Sequence, residues 1–176
     1  MIHGQCIFNS LDGTDFRCTE KEGFPQNKRW YSHKFKGPGL RYEIALCIKT
    51  GDIVWAYGGV RCGEYNDLEL ARLCYTHMVD PHEKTIADSG YMDAAFFVNA
   101  PPRNLYNPDI YHHYVMKKIM ARHESVNGRL KHYAVLREVF CRPIEEHPKI
   151  FKACLNLVQL AIENGEPLAK LNIGGY

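Results

Sequence analysis

The chain has 176 residues, 45% of them apolar and 12% aromatic, and a net charge of only +2. This composition suits one domain with one sizeable core and excludes a strongly basic nucleic-acid-binding tail, so any anion-binding surface must come from where the charges lie. The seven cysteines never form a Cys-x-x-Cys pair, which argues against a zinc ribbon or a disulfide framework. With no apolar run of membrane-spanning length and no signal-peptide pattern in MIHGQCIFNS, a soluble intracellular protein is expected.

In chain order, Gln5 to Leu11 reads as a strand running into a turn, with Asp12 near its end. Tyr42, Ile44, Leu46 and Ile48 alternate, Thr50-Gly51-Asp52 turns, and Ile53, Trp55 and Tyr57 alternate again, so residues 41–57 predict a β-hairpin. Glu64 to Met78 has apolar residues at helical spacing, with Asn66 or Asp67 as its N-cap. Lys84 to Ala87 is a short strand entering the turn Asp88-Ser89-Gly90, and Ala95 to Asn99 is another before Pro101-Pro102.

A long helix is expected from Tyr111 to about Phe140, with Gly128 marking either a break or a close approach. A last helix starts near Pro148, turns Phe151, Leu155, Val158 and Ile162 to one face, and stops at Asn164-Gly165. The tail after Pro167 is expected to be loose. Antiparallel strands, a helix, further strands and then helices predict an α/β sheet domain. Two of those strands end in an aspartate. If they are neighbours, Asp12 and Asp88 meet at one edge of the sheet.

Two strand-end carboxylates joined by a third from a later helix suit hard divalent cations, and two such ions about 4 Å apart can activate a nucleophile and stabilise a leaving oxygen. Asp15 is the competitor of Asp12, and Glu124 read locally is a surface partner of Arg122 or Lys131. ARHESVNG has His-Glu but lacks the second histidine of a zinc-protease helix, since Asn127 stands in its place. The histidines at 112–113 and the set His77, His82 and Glu83 match no standard zinc spacing. Lys28, Arg29, Lys34, Lys36 and Arg41 lie in a run without an acid and interleave with aromatics, as a surface for phosphates and exposed bases requires. Lys118, Arg122 and Arg129 recur along the long helix, near Lys131.

DGTD at 12–15, RWYSHKFKGPGLRYEIALCI at 29–48, TGDIVW at 50–55, ADSGY at 87–91, ARHESVNGRLK at 121–131 and QLAIENGEPL at 159–168 together resemble the DDE superfamily endonucleases, and within them the PIF/Harbinger-type and related insertion-sequence transposases. The 35 residues between Asp88 and Glu124 match the usual spacing of the last two acids.

The resemblance implies a ribonuclease H-like mixed sheet flanked by helices, a triad of Asp12, Asp88 and Glu124, and two Mg²⁺ or Mn²⁺ ions for cleaving or transferring DNA phosphodiesters. With a DNA substrate, the basic residues singled out above, Lys28, Arg29, Lys34, Lys36, Arg41, Arg122, Arg129 and Lys131, are the expected DNA contacts. Asp67, in a family-like Gly-x-x-x-Asp pattern from Gly63, and Asn127 are candidate accessory residues. One catalytic domain over 1–168 is expected, with a tail at 169–176. Relatives usually carry a helix-turn-helix region before the first aspartate, where eleven residues stand here. A separate DNA-binding partner and a nuclear location are expected by the same resemblance, oligomerisation is left open, and the rival reading is a domesticated domain that binds DNA or protein without cutting.

Overall fold

A computed structural model describes residues 6–19, 28–99 and 110–171, with the side chains of 110–113 outside that description. The expected strand start at Gln5, the side chains of His112 and His113, and residues 172–176 therefore lie outside it.

Strand β1, Cys6–Arg17, pairs antiparallel with β3, Gly37–Cys47, which pairs antiparallel with β4, Ile53–Arg61. The two-residue β2, Tyr31–Ser32, also pairs with β3. On its other side β1 runs parallel to β5, Glu83–Ala87, and β5 to β6, Phe97–Asn99. Three antiparallel strands followed by two parallel ones, with β1 central, is a ribonuclease H-like arrangement, and among the described residues the curled mixed sheet carries four α-helices.

The hairpin forms as its alternation predicts. Its turn closes through the Cys47 amide on the Asp52 carbonyl, with Gly51 at φ +85°, a backbone conformation that glycine adopts without a Cβ clash. Helix α1, Asp67–Cys74, starts at a capping box in which the Asn66 side chain takes the Glu69 amide and Glu69 takes the Asn66 amide. The cap falls on Asn66, one of the two residues the sequence offered, and the α-helix ends at Cys74, with a 3-10 turn over Thr76–Met78 completing the expected span.

Helix α2, Ile110–Leu130, is shorter than the expected run to Phe140, and a short α3, Ala134–Arg137, follows it. The chain leaves the helix because it must return to the sheet: the Phe140 amide donates to the Arg17 carbonyl and the Thr19 amide to the Phe140 carbonyl. A Cβ at Gly128 would meet nothing within 4 Å, so that glycine marks no close approach. Helix α4, His147–Glu163, has Pro148 in its first turn and Asn164 as its C-cap, as the sequence predicts. Beyond it Leu168 is buried in the core, and Arg122 Nε donates to the Ala169 carbonyl.

The sheet is the middle of three layers. Leu11, Ala45, Ala87 and Tyr91 pack with Ala71 of α1 on one face; Phe16, Tyr42 and Leu46 pack with Val126 of α2 and Phe151 of α4 on the other. Because neighbouring residues of a strand point to opposite faces, this layering decides what each residue around Asp12 can reach.

Candidate active site

Asp12 lies inside β1, opposite Ile44 of β3, where the sequence predicted a turn. The ladder to β3 runs unbroken from Asn9 to Arg17, and its hydrogen bonds override the local turn preference of Asp-Gly. The parallel ladder to β5 stops earlier, at Ser10 opposite Ile86. Asp12 therefore sits where one side of β1 becomes open, and Asp88, directly after β5, flanks that opening. The neighbouring-strand condition set by the sequence is met.

Burial is the largest influence on the Asp12 carboxyl. With the nearby Asp88 and Asp67 carboxylates, and against the Lys34 ammonium, it pushes Asp12 up to about 6. Asp88 is exposed, and one of its carboxylate oxygens accepts the Gly90 amide at 2.7 Å. Glu124 is exposed on α2. The helix turns His123 inward, to a 2.9 Å hydrogen bond with Ser10, and sends Asn127 to the cleft beside Asp12. This cleft of about 640 Å³ is also lined by Lys34, Phe35, Lys131 and Arg137. Glu124 stands one helical turn from Asn127. Among the described residues, no three His, Cys, Asp or Glu side chains are grouped so as to hold a metal ion, and this includes His77, His82 and Glu83.

The other expected site residues divide by burial. Lys34 and Lys131 are exposed at the cleft, and Lys34 Nζ donates to the Gly13 carbonyl at 2.6 Å. Lys28, Arg29 and Lys36 are exposed but do not line the cleft, and Arg29 is ion-paired to Glu64. Arg129 donates to the Glu166 carbonyl. Arg41 and Arg122 face inward: they are 7% and 3% exposed, and Arg122 caps the Ile48 carbonyl at 2.6 Å. The Arg41 guanidinium grips both oxygens of Asp15 at 3.0 and 3.2 Å. Burial alone would raise Asp15, but hydrogen bonds from Arg41 and Ser32 more than offset it and hold the carboxyl below its ordinary value. Asp15 is thus committed to a buried ion pair.

Asp67, the first residue of α1, stands 3.0 Å from Arg41 Nη1. That nitrogen donates to the Tyr65 carbonyl instead, so the pair is a charge contact and Asp67 Oδ1 receives no hydrogen bond. A Cβ on Gly13 would lie 3.0 Å from that same oxygen and 3.2 Å from the Tyr91 hydroxyl. Glycine at 13 is what lets them approach β1. Sequence reasoning missed Glu43 and Tyr91. Glu43 is fully buried, and burial, reinforced by Asp67 and Asp12 and opposed by the Tyr91 hydrogen bond, drives its carboxyl well above the usual range. The available signal was an acid set directly before the apolar run Ile44-Ala45-Leu46 of the expected hairpin.

The family model for DDE superfamily endonuclease matches residues 11–159. No curated protein and no solved structure matches the chain. The match covers most of the sequence, Asp12, Asp88 and Glu124 among it, and the chain belongs to the DDE superfamily endonucleases, a family of nucleases that act on DNA and generally use divalent metals.

Proposed function

We propose that this chain is a metal-dependent DNA endonuclease or transposase core whose working edge is the opening between β1 and β5, with 1–168 acting as one catalytic domain. The observation that carries the reading is the pair Asp12 and Asp88, brought to one edge by parallel strands and flanked by a cleft with Lys34, Lys131 and Arg137 on its walls. The donor set offers carboxylate oxygens and an amide without thiolate, which is the chemistry of Mg²⁺ or Mn²⁺. Asp12 and Asp88 would hold such an ion, and the family resemblance assigns the third carboxylate to Glu124, exposed on α2 one helical turn from Asn127. A bound pair of these ions supplies charge neutralisation at a phosphodiester and activation of an attacking hydroxyl.

The chain's own residues do the positioning. Lys34 and Lys131 draw a phosphate toward the cleft, the Asn127 amide orients it, and Phe35 offers a ring for a base. PIF/Harbinger-type affiliation, a separately encoded DNA-binding partner and a nuclear site of action extend the same reading, on sequence resemblance alone. The test is Mn²⁺-dependent nicking of supercoiled plasmid by wild type, Asp88→Asn and Glu124→Gln. Cleavage by wild type alone, with DNA binding kept by all three, is expected. Retained cleavage by Asp88→Asn refutes the assignment, and wild type that neither cuts nor binds Mn²⁺ leaves a DNA-binding domain without catalysis.

A further inference from the structure

We infer that Tyr91 and Glu43 are positioning residues, a side-chain tie that holds the turn carrying Asp88 against the strand carrying Asp12. The inference rests on the endonuclease reading for its purpose, though not for its geometry. Backbone pairing between β1 and β5 ends at Ser10 and Ile86, so no ladder hydrogen bond fixes Asp88 relative to Asp12. Something else must set their separation.

The tie lies on the opposite face of β1. Asp12 shares the α2 face with Ser10, so alternation turns Gly13, and Glu43 directly across from it in register, toward α1. Glu43 and Tyr91 are both 0% exposed. The Tyr91 hydroxyl donates to Glu43 Oε2 at 2.5 Å, and Oε1 has no hydrogen-bond partner. Tyr91 in turn belongs to the Asp88 turn: its amide donates to the Asp88 carbonyl, and Asn99 Nδ2 donates to the carbonyls of Asp88 and Tyr91. The Gly90 amide holds the Asp88 carboxylate. Contact therefore runs from Asp88 through its turn to the Tyr91 hydroxyl, to Glu43, and across the ladder to Gly13, next to Asp12.

A carboxyl group left half-satisfied in a core is expensive, and an apolar side chain of similar size would be cheaper there. The position repays that expense by supplying the acceptor for Tyr91. Outer partners of ion ligands act in this way, and their loss typically weakens ion binding about 10- to 100-fold.

The test compares Tyr91→Phe, Glu43→Leu and Glu43→Gln with wild type in the intact chain. Amide hydrogen exchange at Gly90 and Tyr91 is measured without metal, and Mn²⁺ binding by titration calorimetry. Tyr91→Phe removes only the hydroxyl; exchange at the turn is expected to quicken about tenfold and Mn²⁺ affinity to fall about tenfold, with DNA affinity unchanged. Glu43→Leu should behave alike. Glu43→Gln, whose amide oxygen still accepts the hydroxyl, should restore both readouts, and it keeps the question decidable if Tyr91→Phe does not fold. Wild-type exchange in Tyr91→Phe, or Gln no better than Leu, overturns the inference. If wild type binds no Mn²⁺ the endonuclease reading fails by itself, and turn exchange alone then decides: quickening supports the tie and no change overturns it.

Discussion

Replacing Arg41 by methionine separates an interior role from a DNA-contacting one. Arg41 supplies both N–H groups that face Asp15, a third to the Tyr65 carbonyl and a charge beside Asp67. The Asp15 side chain is 0% exposed. Methionine keeps the apolar stem and removes the charge, which leaves the Asp15 carboxylate buried with only neutral donors, the Ser32 hydroxyl and the Cys62 thiol. Stranding a buried carboxylate in this way costs about 3 to 5 kcal/mol. Urea unfolding is the assay: with a slope of about 2 kcal/mol per molar for a domain of this size, the midpoint should fall by roughly 2 M. Adding Asp15→Leu should recover part of the loss, because an apolar pair replaces an orphaned charge, while the Tyr65 carbonyl stays unpaired. DNA binding by the folded variant should keep its salt dependence. A midpoint shift equivalent to under about 1 kcal/mol, together with a shallower salt slope, would refute the reasoning and return Arg41 to the DNA-contacting set.

Cations at the cleft should behave in the opposite way. Lys131→Ala is expected to leave the urea midpoint nearly unchanged and to lower the slope of log affinity against log salt by about 0.9, measured by fluorescence anisotropy on a DNA duplex; an unchanged slope removes Lys131 from the interface. Two buried histidines and two buried carboxyls should oppose each other in acid. Burial lowers His123 to about 3 and His147 to about 4, so the unfolded chain takes up those protons first; their stabilisation is complete above about pH 6.5 and is lost as the pH falls toward those values. Asp12, raised to about 6, and Glu43, driven well above its ordinary value, act in the reverse sense, because the folded chain holds their protons while the unfolded chain does not. Two protons stand against two, so the urea midpoint is expected to stay nearly flat between about pH 6 and 4.5. His123→Gln removes one histidine contribution and should make the fold gain about 1.4 kcal/mol per pH unit as the pH falls through that window; a variant profile parallel to wild type contradicts it.

The sequence disclosed what local chemistry controls. The hairpin is written in its alternation about Gly51, α1 in Asn66 and Glu69, and α4 in Pro148 and Asn164, where each signal lies within a few residues of its effect. The shared edge of Asp12 and Asp88 was legible only as a condition, because two short apolar runs that each meet an aspartate do not say that the strands are neighbours or that they run parallel. What stayed hidden depends on distant partners. Asp-Gly at 12 and 13 spells a turn until β3 pairs through it, and the helix beyond Leu130 looks continuous until Phe140 is drawn to the end of β1. Arg41 in a basic run reads as surface until Asp15 and Asp67 arrive from two other elements.

Gly13 shows why the acids of this site divide as they do. One residue before it, Asp12 faces the cleft and the cations that would meet a phosphate. At Gly13 itself the strand turns to the other face, and the missing side chain admits Asp67 and the Tyr91 hydroxyl beside Glu43. The sheet thus keeps carboxylates that meet solvent apart from those that hold the edge in shape, with a single backbone between them. A residue with a Cβ at 13 would press on Asp67 and Tyr91 together, and the displacement would pass along the turn to Asp88. A small residue after the first aspartate is therefore required by what packs behind the strand as well as by what happens in front of it.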